Sequence, residues 1–300
     1  MIIPEFSSGV DFDADYLIRL GEVVSKIKTA RVSLGIAPGN ISGSKRGRGS
    51  ILYDLRLWSE GDDIRHIDSH RTARTGVPHV RTYHDDQENR ILFIADFRPS
   101  MYFGTRRVLR SVSAAEAISI SGWRAISMQA CVGLATSTVC GVSFLGWARE
   151  SCKFSGLLDK LAVAHRQAGH YDKSYEPDLS GILDLVEKTS GSTTIVIATA
   201  LDTPGEDFYK IARIMAQRRK LLFLLISDKF ERAPNPGNYP YSTREGDRGI
   251  LQIHRKYEQK PKNDKLLRLS DLGARSIIIH TELEPTDIVR VLERIYDRSR

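Results

Sequence analysis

The chain has 300 residues, 41% of them hydrophobic and 27% charged, which allows one large domain or two modest ones with an ordinary soluble core. Its longest purely apolar run, residues 221–226, falls far short of the ~20 residues a membrane-spanning helix needs, and the opening MIIPEFSSGVDFDADY lacks the basic start of a secretory signal. The net charge is +7, so nucleic acid and anionic surfaces stay open until the distribution of that charge is read.

Residues 15–29 place Leu17, Leu20, Val24 and Ile27 at helical spacing, the mark of an amphipathic helix. Residues 37–49 are rich in Gly, Ser and Arg and read as a loop. From 50 to 84 apolar residues are sparse; short strands and turns are expected, with 77–83 the clearest strand. The pattern becomes regular after Asn89. Residues 91–95 are a continuous apolar run ending at Asp96, and a helix is expected over roughly 107–130. Residues 131–136 and 142–147 are strand-like. Helices are expected over 154–164 and 179–188, the second capped by Asp178. A strand at 193–198, a helix at 207–218 and a strand at 221–226 follow. Short strands at 250–253 and 276–279 precede a terminal helix at 285–298, with Ile288, Val291, Leu292 and Ile295 on one stripe.

Apolar strands alternating with helices imply an α/β fold, a parallel-rich sheet with helices on both faces. The expected organisation is an N-terminal helical and β-rich segment, 1–87, followed by the regular α/β domain, 88–300. Such a sheet carries its site at the carboxyl ends of its strands. Asp96, residues 199–202, Ser227 and Asp228 fall there.

Two segments carry a resemblance. The first holds Arg46, Gly47 and Gly49, then Asp54 and Arg56, then Gly61, Asp62, Asp63 and Arg65, then Asp68 and Arg74. The second is Asp96-Phe-Arg98-Pro-Ser100-Met101 with Phe103-Gly104. In order and spacing these resemble the DUF58 family. The likeness continues at Ser227, Asp228 and Glu231 and at Gly237 and Tyr239, and covers roughly residues 35–250. It implies a von Willebrand factor A-like (Rossmann-like) domain, partnership with a MoxR-type AAA+ ATPase, and a non-enzymatic, chaperone-like role in maturing a client complex or inserting its metal cofactor. One branch is linked to methanol dehydrogenase.

The resemblance also implies a place to look for a cation. Von Willebrand A domains often hold Mg²⁺ through Asp-x-Ser-x-Ser, because a hard cation takes oxygen ligands. Here the pattern reads Asp96, Arg98, Ser100. An arginine cannot ligate a cation and repels one. The expectation is therefore a degenerate, metal-free site in which Arg98 turns inward onto Asp96, with Asp202 two residues late for the distal ligand. An outward Arg98 would leave Asp96 and Ser100 as Mg²⁺ ligands. A partner is expected to meet the face of Asp96, Arg98, Ser100, Met101 and Asp202.

Other constellations carry alternatives. His66, Asp68 and His70 alternate, and on a strand they would share one face, as a hydrolytic metal triad requires. Asp62, Asp63, Arg65, Asp68 and Arg74 read equally as a recognition surface or as a buried ion-pair network. Residues 43–49 lack the Gly-Lys-Ser/Thr ending of a nucleotide loop, so nucleotide binding is assigned to the partner. Between Lys45 and Arg90 the two signs of charge interleave; only residues 255–268 show a basic excess, the basis of a nucleic-acid-binding alternative. Cys131, Cys140 and Cys152 show no CxxC spacing and suit a reducing compartment, the cytoplasm.

Overall fold

The computed structural model describes residues 9–27, 46–47, 51–59, 63–84, 89–170, 175–189, 193–242, 248–254 and 264–297. The elements begin with α1 (Ala14–Lys26), β1 (Arg46–Gly47), β2 (Ile51–Leu57), α2 (Ser69–Thr75) and β3 (His79–His84). Then come β4 (Arg90–Asp96), α3 (Arg110–Ser127), β5 (Cys131–Thr138), β6 (Gly141–Ala148), α4 (Ser151–Gly169), α5 (Ser180–Lys188) and β7 (Thr194–Thr199). The chain ends with α6 (Phe208–Arg218), β8 (Leu221–Ser227), α7 (Lys229–Arg232), β9 (Gly237–Ser242), β10 (Arg248–Ile253), α8 (Asp264–Asp271), β11 (Arg275–His280) and α9 (Pro285–Asp297).

Contacts divide the chain into two units, 1–36 with 90–300, and 37–89. The larger unit is built on a six-stranded sheet in the order β11-β8-β7-β4-β5-β6. All neighbours are parallel except β6, which runs antiparallel to β5. Both faces are covered, which is why its strands read as continuous apolar runs. Along β4, Ile91, Phe93 and Ala95 enter one core while Leu92 and Ile94 enter the other, the period of two that a strand imposes. The expected α/β architecture is the observed one.

Helix α3 is buried along nearly its whole length. It lies so close to α4 that a Cβ on Gly122 would sit 2.2 Å from the Phe154 ring. Helix α1 presents Tyr16, Leu17, Leu20 and Val24 to the same core. The Leu17 carbonyl accepts from Ser119 Oγ at 2.8 Å and from Trp123 Nε1 at 3.1 Å. Buried Glu116 accepts from the Tyr16 hydroxyl and from both terminal nitrogens of Arg107. The N-terminal helix therefore packs with the residues that follow 90. The expected grouping of 1–87 as one segment is corrected, because an amphipathic helix buries its stripe against the largest core within reach.

The smaller unit holds a three-stranded antiparallel sheet in the order β1-β3-β2 with α2 beside β3. Two further differences from expectation concern the C-terminal third. The strand expected at 250–253 is not in the large sheet but pairs with β9 as a separate antiparallel hairpin. Residues 264–271, where no element was expected, form α8. No helix among the described residues is long and apolar enough to cross a membrane.

Candidate functional site

The chain leaves β4 for β5 on one side and returns to β7 on the other. Ligands of open α/β sheets bind in the crevice at such a reversal. The crevice here is flanked by Asp96, the last residue of β4, and Thr199, the last of β7. The side chain of Arg98 fills it.

Asp96 and Arg98 are both completely buried. Arg98 Nε donates to Asp96 Oδ1 at 3.0 Å and Nη2 to Oδ2 at 2.9 Å, the two-pronged geometry that suits a guanidinium and a carboxylate. Nη1 donates to the carbonyls of Pro177 at 2.8 Å and Thr203 at 3.2 Å, and Nη2 to that of Asp202 at 3.2 Å. These contacts occupy all of the five N–H donors a guanidinium owns. Asp96 also accepts from the Arg98 backbone N–H at 3.0 Å and from Thr199 Oγ1 at 2.7 Å. Burial pushes the guanidinium pKa down, but Asp96, Glu176 and Asp202 outweigh it and hold the proton more firmly than usual.

The loop after β7 is bent to serve this cation. Leu201 has φ 54°, Thr203 φ 41° and Gly205 φ 96°. For a β-branched residue such as Thr203 a positive φ is a costly conformation. The bends turn two successive carbonyls onto one guanidinium. Beside it, Ser100 donates its hydroxyl and backbone N–H to the two oxygens of buried Glu176. Met101 is buried beneath, its sulfur 3.2 Å from the Ala200 backbone N.

A second, more open layer surrounds the first. Arg110 at the start of α3 donates to the Ser100 carbonyl at 3.1 Å and to Asp202 Oδ2 at 2.8 Å. Its other terminal nitrogen pairs with Glu231, and its guanidinium lies 4.9 Å from the centre of the Phe103 ring. Lys265 of α8 bridges Asp202 Oδ1 and the Ala200 carbonyl. Asp228 after β8 is buried and accepts from Thr105, Phe230 and Thr281. Burial would raise its pKa, but these bonds prevail and hold it below the ordinary carboxylate value.

Asp96, Arg98 and Ser100 thus lie together, and Asp202 joins them through its carbonyl while its carboxylate faces outward. Asp96, Arg98 and Met101 are sealed from solvent, so direct contact of these three with a partner would require the pocket to open. Among the described residues of this face, Phe103, Asp202, Glu231 and Lys265 expose about a third or more of their side chains. The sequence reading missed Glu176 and Arg110. Neither sits in a periodic pattern, and each is recruited from a distant point in the chain.

The donors do not suit Mg²⁺. Both oxygens of Asp96 are engaged by Arg98, the Ser100 hydroxyl is held by Glu176, and the Asp202 carboxylate by Arg110 and Lys265. A cation would have to displace a buried guanidinium. Among the described residues no group of three or more His, Cys, Asp or Glu could hold a metal.

The first signature segment is otherwise arranged. Arg46 and Gly47 lie in β1, Asp54 and Arg56 in β2; Gly49, Gly61, Asp62 and the 43–45 part of the Gly-rich stretch lie outside the described residues. Asp63 caps the short turn Ile64–His66 by accepting from Arg65 N at 3.0 Å. Asp68 caps α2 by accepting from Arg71 N at 2.8 Å. The strand that the hydrolytic alternative needs through His66, Asp68 and His70 does not form. A turn and a helix start stand there instead, so the shared face of the hydrolytic alternative is lost. Of the basic 255–268 segment, 255–263 lie outside the described residues, while Lys265 and Arg268 pair with Asp202 and Asp264.

A family model described as "Protein of unknown function DUF58" matches residues 54–261. Among curated proteins the chain is similar to Uncharacterized protein Mb1516 of Mycobacterium bovis and Uncharacterized protein Rv1480 of Mycobacterium tuberculosis. Each is 39% identical over 89 residues, 28% of this chain and 28% of the relative. Among solved structures, the conserved hypothetical protein BatB from Bacteroides thetaiotaomicron matches with a TM-score of 0.41 and 11% identity, over 70% of this chain and all of that one. The SpRpn10 VWA domain matches with a TM-score of 0.35 and 12% identity, over 67% of this chain and 93% of that one.

Proposed function

The chain belongs to the DUF58 family, and from that premise we propose that it is a non-catalytic cytoplasmic adaptor acting with a MoxR-type AAA+ ATPase. Its task is chaperone-like: maturation of a client complex or insertion of the client's metal cofactor, with methanol dehydrogenase one candidate client. The family resemblance supports the choice of partner. One observation supports the non-catalytic reading: the crevice at the sheet's reversal is closed by Arg98, whose donors all turn inward. What faces outward is a rim of Phe103, Asp202, Glu231 and Lys265, chemistry that suits recognition by side chains.

The test is co-purification with the MoxR-type ATPase of the same organism, followed by its ATP hydrolysis rate with and without this chain. A stable complex and an altered rate are expected, both weakened by Phe103→Ala. No complex and an unchanged rate would sink the reading.

A further inference from the structure

The smaller unit leaves large apolar side chains in solvent. Leu57 is 58% exposed, Ile64 73%, Val77 48% and Trp58 39%. The β2–β3 ladder brings Leu57, Trp58 and Val77 together, and Ile64 lies on the turn that meets the other edge of β3 through Ile67. Leu57 pairs with His79 across the β2–β3 ladder. The backbone N–H of Trp58 donates to the Pro78 carbonyl at 2.9 Å, next to Val77. Ile64 begins the turn closed by the bond from Ile67 N to its carbonyl, and Ile67 bridges Val80 on β3. Soluble proteins seldom leave such residues grouped in water unless a partner covers them.

The same unit carries exposed cations. Arg65, Arg71 and Arg74 are exposed and form no ion pair among the described residues. Among the described residues, Asp63 and Asp68 accept from backbone N–H groups as caps and form no ion pair with these arginines. Arg71 and Arg74 stand three apart on α2, so they share a helix face. An exposed arginine fork with no partner among the described residues is a ready receptor for a carboxylate.

We infer that Leu57, Trp58, Ile64 and Val77, together with Arg65, Arg71 and Arg74, form a docking surface for an acidic protein partner with an apolar centre. The aliphatic share of the patch selects protein over nucleic acid. Phosphates gain nothing from burying Leu57, Ile64 and Val77, whereas an interface with a Trp anchor, an apolar middle and an arginine rim follows the anatomy of protein contacts. This surface does not depend on the ATPase reading.

The experiment measures binding of the full chain to three immobilised probes. These are a peptide of Glu and Leu, its Gln-for-Glu counterpart, and single-stranded oligo(dT). We expect the Glu–Leu peptide to bind at least tenfold tighter than the Gln peptide, and more weakly as salt rises. The triple substitution Arg65→Ala, Arg71→Ala, Arg74→Ala should abolish that preference. The double substitution Ile64→Ser, Val77→Ser should weaken binding at least tenfold, with circular dichroism confirming the fold of each variant. Equal binding of the Glu and Gln peptides overturns the proposal. So does oligo(dT) binding that the aliphatic substitutions leave untouched. The ATPase is run in parallel. If it fails to bind while the Glu–Leu peptide binds, the adaptor reading falls and the surface stands. If it binds wild type and variants alike while the peptide does not bind, the surface falls and the adaptor reading stands.

Discussion

Arg98 occupies the place where this fold class seats its ligand, and it does so as a cation covalently part of the chain. A buried pair is weak evidence of net stabilisation, but removing one partner leaves an uncompensated charge. Arg98→Ala should therefore cost about 3–5 kcal/mol, read as a lower denaturant midpoint at unchanged m-value; a loss below about 1 kcal/mol would mean that Asp96 finds water or another donor. Arg98→Ser goes further. It frees two carboxylate oxygens and, with Ser100 nearby, returns hard ligands to the pocket. Mg²⁺ should raise the melting temperature of Arg98→Ser and leave wild type, with or without a chelator, unchanged. No heat of binding by calorimetry would count against the guanidinium standing in for a cation. His165 gives the residue scale a pH signature. Its ring is buried among Phe12, Phe97 and Tyr102, with Nε2 2.9 Å from Ser111 Oγ and Nδ1 3.2 Å from Asp11. Burial lowers its pKa to about 4, against the opposing pull of Asp11. An unfolded histidine titrates near 6.5, so between those values the unfolded chain holds more protons and stability rises with pH. The contribution is complete above about pH 6.5 and is lost as pH falls towards 4, a swing of roughly 3 kcal/mol. His165→Phe should flatten the melting temperature between pH 4.5 and 7.5 relative to wild type; an equal slope in both proteins would mean that other groups set it.

At the scale of elements, what the sequence shows is what burial writes into it. Strands β4, β7 and β8 are legible because helices cover both their faces, and α3 and α9 because each buries a long stripe. Elements with little to bury are not. Helix α2 has no buried residue, and the stripe of α8, Leu266 and Leu269 continued by Leu272, is too short to stand out among the charged residues beside it. Residues 250–253 look like any short strand, and nothing local distinguishes a place in the large sheet from pairing with β9. Within the site, Asp96, Arg98 and Asp202 were legible from motif and strand ends. Glu176 and Arg110 were not, since their roles come from loop closures over many residues. The tight α3–α4 crossing was equally invisible, because Gly122 looks like a helix flaw until Phe154 is seen against it. Gly122→Ala improves helix propensity, yet its methyl meets the Phe154 ring. Overpacking costs about 1–3 kcal/mol and should win, so Gly122→Ala should unfold at a lower urea midpoint. Adding Phe154→Leu should recover part of the loss in a double-mutant cycle. A stabilised single variant would show that the ring moves aside freely.

At the scale of the whole molecule, the chain starts the large unit with α1, departs to build 37–89, and comes back to complete the first unit from Arg90. The segment 37–89 is thus an insertion in a domain whose core closes without it. Each unit holds its own sheet, and the apolar residues of α1 are spent on the larger one. A variant in which 37–89 is replaced by a flexible Gly/Ser linker of about 20 residues should keep a single cooperative melt. It should also keep the near-ultraviolet signal of Trp123, packed edge-on against Phe154. The same variant should lose selectivity for the acidic peptide, since the Trp58–Ile64 surface leaves with the insertion. Removing residues 1–27 should do the reverse damage. It strips Tyr16, Leu17, Leu20 and Val24 from α3 and leaves Glu116 with Arg107 alone, at a cost on the order of 5 kcal/mol or more from the apolar burial. Loss of the cooperative melt in the insertion-deleted protein, with survival of it in the N-terminal truncation, would reverse this assignment of which segment belongs to which core.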